Sequence, residues 1–180
     1  MNSKINLCLA LCLCGILTGC SAIKPPVIPG NGSDGELIKL PIKFADYREF
    51  YTFVAQRTYG GMPTDAENLF KLAAESRTEI ISLDYKAMPY VYVVEPHYFI
   101  GENDEIRGAQ GNGDYYILCP LAAGHTPLGG FELVGVAEGN GYTLRYSNGV
   151  PQFVTYWHMS ASDHVKNIYD WNGKEFQQIK

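Results

Sequence analysis

The chain has 180 residues with 14 basic and 19 acidic side chains, a formal charge of −5. That balance excludes a surface built to bind nucleic acid, because affinity for the phosphate backbone rests on clustered Lys and Arg. Apolar residues make up 46% of the chain, which is enough for a packed core and excludes a wholly disordered protein.

The first segment has one positive residue, Lys4, followed by a mainly apolar stretch from Ile5 to Leu17 and the small residues Thr18 and Gly19 before Cys20. This is the layout of a secretory signal. As a helix the apolar stretch would rise only roughly 20 Å, short of the roughly 30 Å hydrocarbon core of a bilayer, so it is expected to be removed rather than to span. Leu17-Thr18-Gly19-Cys20 resembles the lipobox of bacterial lipoproteins at all four positions. The resemblance implies cleavage after residue 19, fatty chains on the Cys20 sulfur and a cell-envelope location. Ser21 in place of Asp after the cysteine implies the outer membrane by the enterobacterial sorting rule. More than one acyl chain anchors a protein stably where a single chain does not.

Removing the signal takes away Lys4 and no acid, so 13 basic against 19 acidic residues leave a mature formal charge of −6. Of the five cysteines, Cys8, Cys12, Cys14 and Cys20 belong to the signal or the lipid site, and only Cys119 remains. One cysteine forms no disulfide within its own chain, so the fold is expected to rest on its core. Residues 20–36, with Pro25, Pro26, Pro29, Gly30, Gly32 and Gly35, read as the lipidated cysteine and a flexible tether. Residues 37–180 read as a single domain.

The expected fold class is α+β: two N-terminal helices followed by a mainly antiparallel sheet, a meander with a C-terminal hairpin. Tyr47, Phe50, Tyr51 and Val54 recur at helical spacing after Asp46 as N-cap, with Glu49 three residues on and Gly60-Gly61 as the stop. Thr64 and Glu67 form a capping-box pair before a second apolar stripe of Ala66, Leu69, Phe70 and Ala73.

From Ile80 onward the pattern changes to short β-branched and aromatic runs: Ile80 to Tyr85, Tyr90 to Val94, Tyr115 to Cys119, Phe131 to Val136, Tyr142 to Tyr146, Phe153 to Trp157 and Asn167 to Trp171. Gly139-Asn140-Gly141, Asn148-Gly149 and Asn172-Gly173 separate neighbours. Asn-Gly favours tight hairpins because both central residues take positive φ. The ending Tyr169-x-Trp171-Asn172-Gly173-x-x-Phe176 resembles the terminal hairpin of many exported bacterial β domains and implies packing rather than a function.

Candidate chemistry centres on Trp157 to His164, where His158, Ser160, Ser162, Asp163 and His164 follow an expected strand. Serine, aspartate and histidine suggest a hydrolase, but no Gly-x-Ser-x-Gly elbow occurs, and a triad needs a base oriented by a third group. His158 and His164 could ligate a metal with His97 or His125, although no paired ligand motif supports it and no metal or other cofactor is expected. Cys119 with His125 suggests a thiol and its base, whereas the apolar run that ends at Cys119 suggests core packing. Gly101 to Asp114 holds Glu102, Asp104, Glu105 and Asp114, oxygen ligands for calcium but without the EF-hand order. The aromatic residues offer a platform for a glycan or peptide.

Two functions follow as expectations. The first is a lipid-anchored envelope protein whose domain binds a ligand, an envelope protein or a glycan without catalysis. The alternative is a small envelope hydrolase or metal-dependent enzyme using the His158–His164 loop.

Overall fold

Asp46 and Glu49 start the first helix by satisfying two free amides: Asp46 Oδ1 accepts from the Glu49 amide at 2.9 Å, and Glu49 Oε2 accepts from the Ala45 amide at 2.7 Å. The computed structural model describes residues 38–57, 63–96, 99–100, 104–105, 113–121, 130–158 and 164–179. The signal, Cys20, the tether and the Gly60-Gly61 stop lie outside the described residues. Helix α1 is Tyr47–Arg57 and buries Phe50, Tyr51, Phe53, Val54 and Ala55.

Helix α2, Ala66–Glu75, starts one residue later than expected. Asp65, not Thr64, is its N-cap, because the Asp65 carboxylate reaches both the backbone amide and the side chain of Asn68, at 3.0 and 2.6 Å. A carboxylate with two donors also matches the positive end of the helix dipole better than a hydroxyl. Leu69 and Leu72 are buried, and Phe70 is 47% exposed, which corrects the expected stripe. Both Leu69–Leu72 and Leu69–Phe70–Ala73 fit a helical period, and only the sheet decides which faces inward.

A short strand, β1 (Ile42–Phe44), precedes both helices, so the helices do not open the fold as expected. Three residues carry no readable alternation, and β1 exists by pairing with a strand far along the chain. The remaining strands are β2 (Arg77–Ser82), β3 (Tyr90–Glu95), β4 (Phe99–Ile100), β5 (Asp104–Glu105), β6 (Gly113–Pro120), β7 (Phe131–Gly139), β8 (Tyr142–Ser147), β9 (Val150–His158), β10 (His164–Trp171) and β11 (Phe176–Ile179).

They form a five-stranded sheet in the order β1-β7-β6-β3-β2, a four-stranded sheet in the order β11-β10-β9-β8, and a two-stranded ladder of β4 and β5. Every pairing is antiparallel. The α+β class stands, but the strands divide between two sheets where one was expected. Alternation assigns a residue to a face of its strand and says nothing about which sheet that strand joins.

The five-stranded sheet is the middle layer. Along β3, Tyr92 and Val94 join the core under the helices with Phe44, Phe50, Phe53, Leu72, Tyr116 and Leu118. Val91 and Val93 point the other way, into a second core with Tyr115, Ile117, Phe153, Tyr169 and Phe176 between the two sheets. Both faces of its central strands are therefore largely dry, which explains the near-continuous apolar runs of β3 and β6. Each fully buried aromatic or aliphatic side chain in these cores contributes roughly 1.5–3 kcal/mol of transfer free energy.

The four-stranded sheet is a run of consecutive hairpins. Asn148 and Gly149, at φ 52° and 78°, turn β8 into β9 with the positive φ values such a pair supplies. The last turn is longer, since Trp171 pairs with Phe176 and leaves four residues between them. Asn172 closes it through Oδ1, which accepts from the amides of Lys174 and Glu175 at 2.9 Å each.

Candidate functional site

The structure disperses part of the expected chemistry and reshapes the rest. His158 and His164 do not sit in a loop: β9 runs through His158 and β10 begins at His164, and the two are direct partners in the register. The Tyr156 amide donates to the Gly141 carbonyl at 3.2 Å, and its carbonyl accepts from the Asn140 amide at 2.7 Å, so both its backbone groups face away from β10. Backbone direction alternates, which makes His158–His164 a non-hydrogen-bonded pair, the type in which facing Cα atoms approach to about 4.5 Å. His158 is half-buried, and its Nδ1 lies 3.4 Å from Asn140 Nδ2. Asp163, His97 and His125 lie outside the described residues.

Cys119 belongs to the opposite end of the fold. Along β6, Gly113 pairs with Gly139, next to the Asn140 that meets His158, while Cys119 pairs with Glu132 six positions on. Six residues of strand span roughly 20 Å, so the thiol and the His158 imidazole do not share a site. Burial, and then the charge of Glu132, push the Cys119 thiol up to about 11. That direction opposes thiolate formation.

A different constellation was missed in the sequence. Asp114 and Glu138 are direct partners across β6 and β7. The Tyr116 hydroxyl donates to Asp114 Oδ2 at 3.1 Å. Burial raises the Asp114 carboxyl, with the Tyr116 hydrogen bond and Arg57 pulling it back. Glu138 is exposed, and the partial burial of its carboxyl and then the Asp114 charge raise it as well, again opposed by Arg57.

Arg57 is the last residue of α1, and its guanidinium carbon lies 5.7 Å from the Phe53 ring centroid. From the other side the Tyr169 hydroxyl accepts from the Glu138 amide at 3.4 Å, and the Thr155 hydroxyl donates to the Glu138 carbonyl at 2.6 Å. Residues from α1, β6, β7, β9 and β10 thus meet at one place.

The sequence places Asp114 at the end of an acidic loop that lacks the EF-hand order, and it is instead a strand residue. Glu138 carried a faint signal, an acid closing the apolar run Val134 to Ala137, and Arg57 carried none. Two carboxyl groups held above their ordinary range can give and take protons, and Arg57 and Tyr116 beside them can steady negative charge. Among the described residues, no group of three or more His, Cys, Asp or Glu is placed to hold a metal ion.

The outward face of the four-stranded sheet carries a polar row through three strands. Arg145, Gln152 and Asp170 share one register line, with Arg145 Nε donating to Gln152 Oε1 and Gln152 Nε2 donating to Asp170 Oδ1, both at 2.5 Å. Gln152 is buried, so this row fixes three strands together rather than offering free groups to a ligand.

No family model, curated protein or solved structure matches this chain. The functional reading therefore rests on its own residues.

Proposed function

We propose that the chain is an envelope lipoprotein, anchored through fatty chains on Cys20 and belonging to the outer membrane, whose α+β domain binds a ligand or protein partner without catalysis. The observation that carries this reading is the sequence Leu17-Thr18-Gly19-Cys20 directly after a charged start and an apolar stretch. A proline- and glycine-rich tether after the cysteine suits a domain held off a bilayer. Sixteen extended residues reach up to about 50 Å at roughly 3.1 Å per residue.

The direction in which burial pushes the Cys119 thiol, up to about 11, supports binding over thiol catalysis, since the nucleophile is the thiolate. An envelope protein or a glycan is the partner class that fits an acidic, tyrosine-rich chain in that compartment.

Metabolic labelling with a radioactive fatty acid tests the anchor. The chain should take up label and Cys20→Ala should lose both label and processing; label on the variant would reject the assignment. For the domain, the full chain extracted in detergent and captured from envelope membranes should retain one partner in stoichiometric amount.

The register of His158 against His164 favours one rival, a metal-dependent envelope enzyme working at that strand end. Titration with zinc separates the two. Tight binding that His158→Ala removes supports the enzyme, and an unaltered His158→Ala protein with no zinc uptake supports the binding module.

A further inference from the structure

The outermost strands of a sheet expose unpaired amides and carbonyls, which folds commonly guard with charge, proline, a bulge or sheer shortness. Most edges of this sandwich are guarded. β1 has three residues, follows Pro41 and carries Lys43, and β11 has four residues with Lys174 and Glu175 just before it. β8 turns an exposed polar face to solvent through Thr143, Arg145 and Ser147. β2 differs: it pairs with β3 over all six residues without a bulge, holds no Lys or Pro, and leaves Ile80 49% exposed at its middle.

One bond fixes which way its backbone points. Leu83, which continues the β2 register, donates its amide to the Pro89 carbonyl at 2.7 Å, so the odd-numbered residues face β3 and the even-numbered ones face away. Asp84 conforms, since its amide donates instead to the Tyr146 hydroxyl on β8 at 2.6 Å. Thr78, Ile80 and Ser82 turn their amides and carbonyls outward in the same way, and among the described residues no strand lies there. The charges of β2 are already engaged on the face toward β8, where Arg77 pairs with Glu79 and Glu79 accepts from Tyr142.

We propose that β2 is a docking edge for a second copy of this chain, the two copies pairing antiparallel about a two-fold axis at Ile80 so that their middle sheets join.

The side chains select this occupant. Thr78, Ile80 and Ser82 share one face, and hydroxyl, isoleucine, hydroxyl reads alike in both directions. The two-fold register sets Ile80 against Ile80 and Thr78 against Ser82, pairs of a favourable kind that exchange both backbone bonds. On the other face Glu79 meets Ile81 and Arg77 meets Leu83, so no like charges oppose each other. Moving the axis to residue 79 would set Glu79 against itself, and moving it to residue 81 would set Ile80 against Ser82. Six residues of strand span only roughly 20 Å, a contact smaller than the roughly 1,200 Å² at which stable interfaces begin, so the dimer should form and part with concentration. Nothing in this pairing depends on the Cys20 anchor.

Residue-resolved hydrogen exchange on the full chain in detergent, run as a dilution series beside sedimentation, tests the proposal. The amides of Thr78, Ile80 and Ser82 should exchange roughly tenfold or more slowly in concentrated than in dilute protein, in step with a dimer mass, while those of Glu79 and Ile81 stay protected throughout. Ile80→Lys places two like charges opposite each other and should leave a monomer with fast outward amides. Ser82→Pro removes one outward donor without touching the ladder to β3 and should weaken the dimer. Ile179→Lys, on the edge at the far side of the sandwich, should leave it intact.

Fast exchange of the three amides at every concentration overturns the proposal. So does protection that persists in a dilute monomer, which would mean that the chain covers its own edge, or a dimer that Ile179→Lys dissolves and Ile80→Lys does not. The exchange pattern of the unsubstituted protein decides the matter even if a variant fails to fold.

Discussion

Tyr142 and Glu79, 63 residues apart, tie the two sheets together: the Tyr142 hydroxyl on β8 donates to Glu79 Oε2 on β2 at 2.6 Å. Glu79 is also paired with Arg77 at 3.0 Å, so the edge of the middle sheet offers a charged acceptor whose position is already restrained. Tyr142 stacks on Phe153 with centroids 4.8 Å apart, which aims its hydroxyl out of the inter-sheet core toward that edge.

Tyr142→Phe keeps the ring and deletes only the donor. The cost should be about 1.5–3 kcal/mol, the range a hydrogen bond to a charged group contributes once water competes for both partners. Equilibrium denaturation measures it. Glu79→Gln in the same background should then cost no more than the exposed Arg77 pair contributes, about 0–1 kcal/mol, because the Tyr142 bond is already gone.

Gly139 marks a second junction, where the end of β7 passes against β9. A Cβ placed there would lie 2.9 Å from Thr155 Cβ and 2.9 Å from the Tyr156 carbonyl oxygen. Backbone cannot retreat as a flexible side chain does, so Gly139→Ala should cost roughly 1–3 kcal/mol through strain. Gly149→Ala forms the contrast: nothing lies within 4 Å of its Cβ, and its φ of 78° is the whole penalty. Thermal melts of both variants would show whether contact or backbone angle dominates.

Strands were legible because β-branched and aromatic runs alternate with Gly-Asn punctuation, and all seven expected runs lie within β2, β3 and β6 to β10, except that Ile80 to Tyr85 extends past the end of β2 at Ser82. Their division into two sheets was not legible. Tyr115 and Tyr116 are adjacent and alike in sequence, yet one packs between the sheets and the other under the helices. The candidate site escaped for a related reason. Asp114 and Glu138 lie 24 positions apart, and only the β6–β7 register makes them neighbours. His158 and His164 were close in sequence and conspicuous, but what looked like a loop cluster is a strand pair.

The face of α2 gives a direct comparison of two residues that sequence treats alike. Leu72 is 0% exposed and Phe70 47% exposed. Leu72→Ala should cost about 2–5 kcal/mol by opening a cavity beneath the helix, whereas Phe70→Ser should change stability by about 0.5 kcal/mol or less. If the sequence-based stripe were the inward face, the order of the two would reverse, and denaturation midpoints settle which holds.

Cys119 offers a prediction that turns on protonation. Its thiol is pushed up to about 11, first by burial and then by Glu132 across the strand pair. The reactive species is the thiolate, and raising a thiol from an ordinary value of 9.0 to about 11 cuts the thiolate fraction at neutral pH by about two orders of magnitude. Folded protein at about pH 8 should therefore react with a disulfide reagent about a hundredfold more slowly than the same chain in denaturant, where the ordinary value returns. Glu132→Gln should speed the folded reaction only modestly, because burial is the larger cause and survives the substitution. A folded thiol reacting as fast as the denatured one would mean that Cys119 is ionised near neutrality, and the case against thiol chemistry at this position would fail.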